Sequence, residues 1–255
     1  MAGLVPSTAP TDSANPCLNI LYPLAPGRQW TYKITRTDDA DVIVASLVST
    51  SGNKAFLNIS DRAAGSNTTA TVMCSHGAIT GLPSLEVGYL FYGSGTSLIL
   101  RSLSTTLAPT EGDLADNNWN FAWRTNLLAT GHMTIENPSL GEIEFIIKNA
   151  PVEIDWQTAG AGDAAFESIK TPAGAFPHAL KIYATASFQM LVKVKIQGQS
   201  QSLPAVLGLT ATLWCQPYVG LVKQSFDSAQ LVIGENSYPA GITTTMELTG
   251  YDFPS

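Results

Sequence analysis

Apolar and polar residues alternate with a period of two along most of this chain, which is the signature of strands with one buried and one wet face. Trp30, Tyr32 and Ile34 share a face, with Thr31, Lys33 and Thr35 opposite. Ala55, Leu57 and Ile59 repeat the pattern, and Trp119, Phe121 and Trp123 oppose Asn120 and Arg124. Further on, Ile143, Phe145 and Ile147 alternate with Glu142, Glu144 and Lys148; Val152, Ile154 and Trp156 alternate with Glu153, Asp155 and Gln157. The longest run sets Phe188, Met190, Val192, Val194 and Ile196 against Gln189, Lys193, Lys195 and Gln197. Half-wet faces of this kind belong to antiparallel sheets, whereas buried parallel strands read as continuous apolar runs.

Turns are predicted at Ser51-Gly52-Asn53, Asn137-Pro138, Ala150-Pro151, Gly198 and Asn236 to Gly241, because Gly, Pro and Asn punctuate the chain there. About a dozen strands result. Helical candidates are few and short: Pro83 to Tyr92, Asp163 to Ile169 and Leu203 to Gly208. Pro109 to Asn118 offers a weak break. The reading is a mainly β protein with one large antiparallel domain over 19–255, a β-sandwich being the alternative. Residues 1–18, small, polar and Pro-containing, read as a flexible tether.

Composition moves this picture outside the cytoplasm. Only 13% of the 255 residues are charged, and Thr, Ser, Gly, Ala and Pro abound, as in exported β proteins. A net charge of −7 argues against a nucleic-acid partner, whose phosphates need clustered cations; Lys193 with Lys195 is the nearest approach. No apolar run reaches the roughly 18 residues of a membrane-spanning helix. Met1 to Asn15 lacks the basic start and apolar core of a secretory signal, in keeping with a leader already removed. Cys17, Cys74 and Cys215 are far apart and form no C-x-x-C pair, which excludes zinc-ribbon and thioredoxin-type sites. Two readings stand: a Cys17–Cys74 disulfide pinning the tether to the sheet, or three unpaired thiols with Cys215 in the core.

Candidate chemistry is sparse. G-x-S-x-G is missing, and Gly93-Ser-Gly95 lacks its spacing. His76, His132 and His178 lie in separate segments, and in Cys74-Ser-His76, a thiol near an imidazole, a disulfide or core role is the expectation for Cys74. Glu142 and Glu144 share a strand face, whereas glycosidase carboxylates come from different strands and unlike surroundings. Asp38, Asp39 and Asp41 lack the D-x-D-x-D-G calcium pattern. Asn58-Ile-Ser60 and Asn67-Thr-Thr69 match the glycosylation acceptor pattern, which matters only in a eukaryotic secretory host. No catalytic residue, metal ligand or cofactor site is predicted. The aromatics Trp30, Tyr32, Trp119, Phe121, Trp123 and Trp156 remain, either filling the core, which is the default for inward positions, or lining an apolar ligand cavity.

Two segments carry a resemblance. Tyr22-Pro-Leu-Ala-Pro-Gly-Arg-Gln-Trp-Thr-Tyr32, preceded by Asn15-Pro16-Cys17, resembles the mature start of uncharacterised bacterial envelope lipoproteins, in which P-x-x-x-G-x-x-W-x-Y follows a low-complexity tether. Thr171-Pro-Ala-Gly-Ala-Phe176 with Ala179-Leu-Lys-Ile182, and Trp214 to Lys223, look like later motifs of that group. Some members are similar to a curved antiparallel half-barrel, the shape of lipoprotein carriers that hold acyl chains. The resemblance implies an exported or lipid-anchored envelope protein without catalytic residues, touching membrane only through an anchor upstream of this chain, since Cys17 follows Ala14-Asn15-Pro16 rather than a lipidation box. The functional expectation is therefore a non-catalytic protein that binds a lipid or other apolar small molecule. The rivals are a surface scaffold or adhesion sandwich, and a hydrolase with a noncontiguous site.

Overall fold

The computed structural model describes residues 15–36, 40–62, 65–80, 97–102, 108–110, 120–137, 141–160, 162–196, 199–239 and 244–253, with the main chain alone at 36, 66, 68, 97–102, 133–137, 141–143, 193–196 and 199–200. Fourteen strands form one antiparallel sheet: β1 Gln29–Arg36, β2 Ala40–Ser51, β3 Lys54–Asp61, β4 Ser66–Ser75, β5 Ala78–Ile79, β6 Ser97–Ser102, β7 Ala122–Asn137, β8 Gly141–Thr158, β9 Phe166–Thr171, β10 Gly174–Ile196, β11 Gln199–Gln216, β12 Gly220–Ile233, β13 Asn236–Pro239 and β14 Thr244–Asp252. Spatially the order is β5-β4-β3-β2-β1-β14-β12-β11-β10-β8-β7-β6, with β13 also on β12 and β9 also on β10. Two meanders therefore run outward from a seam, β1 against β14, and the sheet does not close into a barrel among the described residues. A single hydrogen-bonded sheet replaces the two-sheet sandwich held as the alternative.

The inner face carries the predicted apolar positions whose side chains are described, and these merge into one core running from Cys17 to Leu248; the side chains of Trp119, Ile143, Val194 and Ile196 lie outside the described residues. Strands as long as β8, β10 and β11 must bend to enclose such a core. Bulges supply bends in β8, where Lys148 and Asn149 stand against Thr130, and in β2, β12 and β14, whose extra residues are Val48, Val222 with Asp227, and Thr249. Each extra residue kinks its strand and deepens the right-handed twist.

The two segments singled out in the sequence meet in space. Pro26-Gly27 turns into β1, with Gly27 at φ 83°. The indole of Trp30 donates to the Val219 carbonyl (2.7 Å) and the Tyr32 hydroxyl to that of Leu221 (3.1 Å). Gly220, at φ 103°, lies between Pro23 and the Trp30 indole, where a side chain would pay for a left-handed backbone. The segment before β1 crosses this end of the sheet as a strap. The Tyr218 N–H donates to the Ile20 carbonyl (2.8 Å), and Cys17 and Cys74 form a disulfide. Asn19, itself buried, donates to the carbonyls of Gly77 and Pro109 and accepts from the N–H groups of Leu21 and Tyr22. Asn15 to Leu18 are thus packed against the sheet; residues 1–14 of the expected tether lie outside the described residues.

Several local expectations need correction. Asp163 to Ile169 is a 3-10 turn over Gly162–Ala165 followed by strand β9, and Leu203 to Gly208 is part of β11. Packing overrides propensity in the second, because Leu203, Ala205 and Leu207 alternate toward the interior. Ala150-Pro151 makes no turn and lies within β8. Asn236–Pro239 is a strand, its turn shifted to Gly234 at φ 60°. Pro83 to Tyr92, Gly93-Ser-Gly95, Gly198 and the 111–118 stretch of the suspected break lie outside the described residues.

Candidate ligand site

The expected aromatic set divides. Trp30, Tyr32 and Trp156 are buried, and each spends its polar atom on the protein: Trp156 donates to the Thr125 hydroxyl (2.9 Å). Trp123 is the cross-strand partner of Trp156 and stacks on it, with ring centroids 5.8 Å apart and planes within 8°; Phe121 leans on Trp123 at 5.6 Å. Trp119 lies outside the described residues. Beside Trp30 and Tyr32 there is space for only about 20 Å³, under Tyr22, Pro23 and Leu24, a volume that holds about one water. These rings fill the interior at two separate places.

A larger cavity, about 510 Å³, opens elsewhere, at a break in the β8–β10 ladder. Pairing runs normally at Phe188 with Val152 and resumes at Leu191 with Ile146, so Ile147 to Pro151 of β8 stand against only Gln189 and Met190 of β10. On the other side of β8 the slip is a single residue, Lys148 and Asn149 against Thr130 of β7. The sequence dictates this asymmetry. Pro151 has no N–H to offer a ladder, and proline inside a sheet sits at bulges for that reason. Asn149 adopts φ 47°, a region that Asn tolerates better than most residues. Its N–H donates to the Thr130 hydroxyl and its side-chain oxygen accepts from that same hydroxyl (3.2 Å each). The bulge is tied to β7 and leaves the β10 side open.

Ile146, Ala150, Pro151, Met190 and Leu191 give the cavity its apolar wall; Lys148, Asn149, Gln189 and Ser202 complete it. Leu191 is 59% exposed, far more than a leucine with a full set of neighbours. Successive residues of an antiparallel strand turn their N–H and C=O to alternate sides. Hence one of Gln189 and Met190, both paired with β11 and neither with β8, aims its main-chain donor and acceptor at the opening. The wall is therefore mainly aliphatic with a few fixed polar points, the usual make-up of a small-molecule site.

None of the five described aromatics lines this cavity. Sequence reasoning missed it because its lining comes from three strands and its key residues, Ala150-Pro151, looked like a turn. The available signal was a Pro and an Asn inside a stretch that otherwise alternates from Ile143 to Trp156.

The other candidates are dispersed. Among the described residues no three His, Cys, Asp or Glu side chains gather as metal ligands. His76, at φ 49°, contacts Ser75 (3.1 Å), and His178 meets the Phe166 ring edge-on; His132 is exposed in β7. Glu144 is exposed, whereas the Glu142 side chain lies outside the described set, as do Asp38 and Asp39 and the side chains of Lys193 and Lys195. Cys215 is a buried thiol that takes no part in the disulfide.

No protein-family model matches the chain, and no curated protein does. Among solved structures, it is similar to a Bacteroides fragilis protein with a YmcC-like fold inferred to be exported: identity 14%, coverage 92% of this chain and 100% of that one, TM-score 0.48. It is likewise similar to a Parabacteroides distasonis protein inferred to be a lipoprotein: identity 14%, coverage 92% and 99%, TM-score 0.48.

Proposed function

We propose that this chain is an extracytoplasmic envelope protein that holds an apolar small molecule in the cavity beside the β8 bulge, acting by binding and not by catalysis. The cavity carries the reading: about 510 Å³ with a mainly aliphatic wall lies within the range of sites that take one small ligand. The compartment rests on the Cys17–Cys74 disulfide, since such bonds persist in oxidising surroundings, and on a surface poor in charge. Membrane contact is assigned to a lipid anchor upstream of this chain, and the acyl-carrier likeness of the sequence motifs belongs to the same proposal.

Native mass spectrometry of the protein taken from its own envelope tests it. An adduct that solvent extraction releases as a lipid or other apolar compound is expected, and Leu191→Asp, at an exposed position, should remove the adduct without disturbing the fold. A clean apo mass from wild type would shift the weight to a scaffold without a small-molecule site, and an adduct indifferent to Leu191→Asp would overturn this cavity as the place of binding.

A further inference from the structure

Resting on that binding reading, we infer that the ligand is a single-chain amphiphile with an anionic head, carboxylate or phosphate, its head at Lys148 and its chain along Ile146, Met190 and Leu191. Lys148 is the one charged residue of the lining, in a chain where Asp and Glu outnumber Lys and Arg by 20 to 13. Three other cations of this sheet are engaged by carboxylates: Lys181 with Glu167, Lys223 with Glu247, both at 3.0 Å, and Arg124 with Glu153 and Asp155. No described acidic side chain pairs with Lys148.

The local backbone explains the placement. Ile146 and Lys148 follow one another on the same face of β8, roughly 7 Å apart along the strand. The bulge then begins, so the ammonium stands at the cavity's edge. A lysine keeps its charged end in water while its methylenes extend the apolar wall. Gln189 and Ser202 add donors on the opposite strands. The alignment continues the wall outward, for Ile146 pairs with Leu191 and Leu191 with Pro204, a path for a hydrocarbon chain. A neutral apolar ligand would gain nothing from Lys148, and a cationic one would be repelled.

Isothermal titration of the purified chain with dodecanoate, dodecyl phosphate and dodecan-1-ol, each below its micellar concentration, separates the possibilities. The two anions should bind with 1:1 stoichiometry and about tenfold or more tighter than the alcohol, the scale of a hydrogen bond to a charged group. Lys148→Gln should bring the anions down to the alcohol's affinity, while Lys148→Arg keeps the preference. A preference between dodecanoate and dodecyl phosphate identifies the head. Equal binding of anions and alcohol, or a Lys148→Gln variant with wild-type selectivity, overturns the inference and leaves the apolar-ligand reading standing. Binding by none of the three, or multiple binding unaffected by Leu191→Asp, overturns both.

Discussion

At the scale of the residue, polar atoms on large aromatics decide positions more than their rings do. Trp30 is 3% exposed and its indole N–H is the donor to a buried carbonyl, so Trp30→Phe should cost about 1–3 kcal/mol, the penalty for an acceptor left unsatisfied. Urea unfolding measures it, and a variant as stable as wild type would contradict the assignment. Trp214 faces the other way. Its indole donates to the Glu167 carboxylate (2.9 Å), which also pairs with Lys181, and the ammonium groups of Lys181 and Lys223 stand 5.6 and 5.9 Å from its ring centre. The Trp214 hydrogen bond, then that from Lys181, holds the Glu167 carboxyl below its ordinary value of 4.5. The unfolded chain therefore takes up this proton first as the solution is acidified. Glu167 contributes its stabilisation fully above about pH 4.5 and loses it as pH falls through the lower, folded value. Glu167→Gln should show a shallower loss of stability between pH 6 and pH 3; parallel curves for the two proteins would refute this. The group is exposed, so the effect is small. The inward facing of Trp30, Tyr32 and Trp156 was legible, because period two sorts faces. Trp214 obeys the same parity, since Leu207, Leu209, Ala211, Leu213 and Cys215 face inward and the extra residues at the β11–β12 slips, Val222 and Asp227, lie on β12; its partner Glu167, on a separate strand, was not legible.

Elements are where local signals and long-range pairing part company. Alternation announced β1, β3, β8 and β10, and Gly52-Asn53 marked the β2–β3 turn. Ala150-Pro151 misled because Pro and Asn speak for a turn and a bulge alike; only two neighbouring strands, unseen in a local window, decide between them. The strap poses the reverse case, a segment with no periodic pattern fixed by side chains. Its disulfide closes a separation of 57 residues, for which loop entropy gives a stabilisation of about 4 kcal/mol. Paired replacement of Cys17 and Cys74 by Ser should lower the free energy of unfolding by about 2–4 kcal/mol. It should also speed protease cleavage before β1. Unchanged cleavage would mean that Asn19 and the Tyr218–Ile20 hydrogen bond hold the strap unaided.

Over the whole molecule the sequence indicated the class of fold and not the order of its strands. Nothing local tells β1 to lie beside β14, or β12 to share one edge between β13, paired to Gln230–Ile233, and β14, paired to Lys223–Ser225. The suspected division near Pro109 falls between β6 and β7, which pair with each other in one meander, and both meanders share a single core. Far-UV circular dichroism, tryptophan fluorescence and calorimetry should accordingly report coincident thermal transitions; separate midpoints would reveal two units. The seam has a further consequence, for the timing of assembly. On the extracytoplasmic reading proposed above, Cys17 and Cys74 could be oxidised as soon as the first strands had crossed a membrane, whereas β1 stays a bare edge until Thr244 to Asp252 arrives. For most of its synthesis the chain would then be a covalently closed loop with an unsatisfied strand at its rim. The disulfide would serve the unfinished molecule as much as the finished one, keeping β1 near its place until its partner arrives.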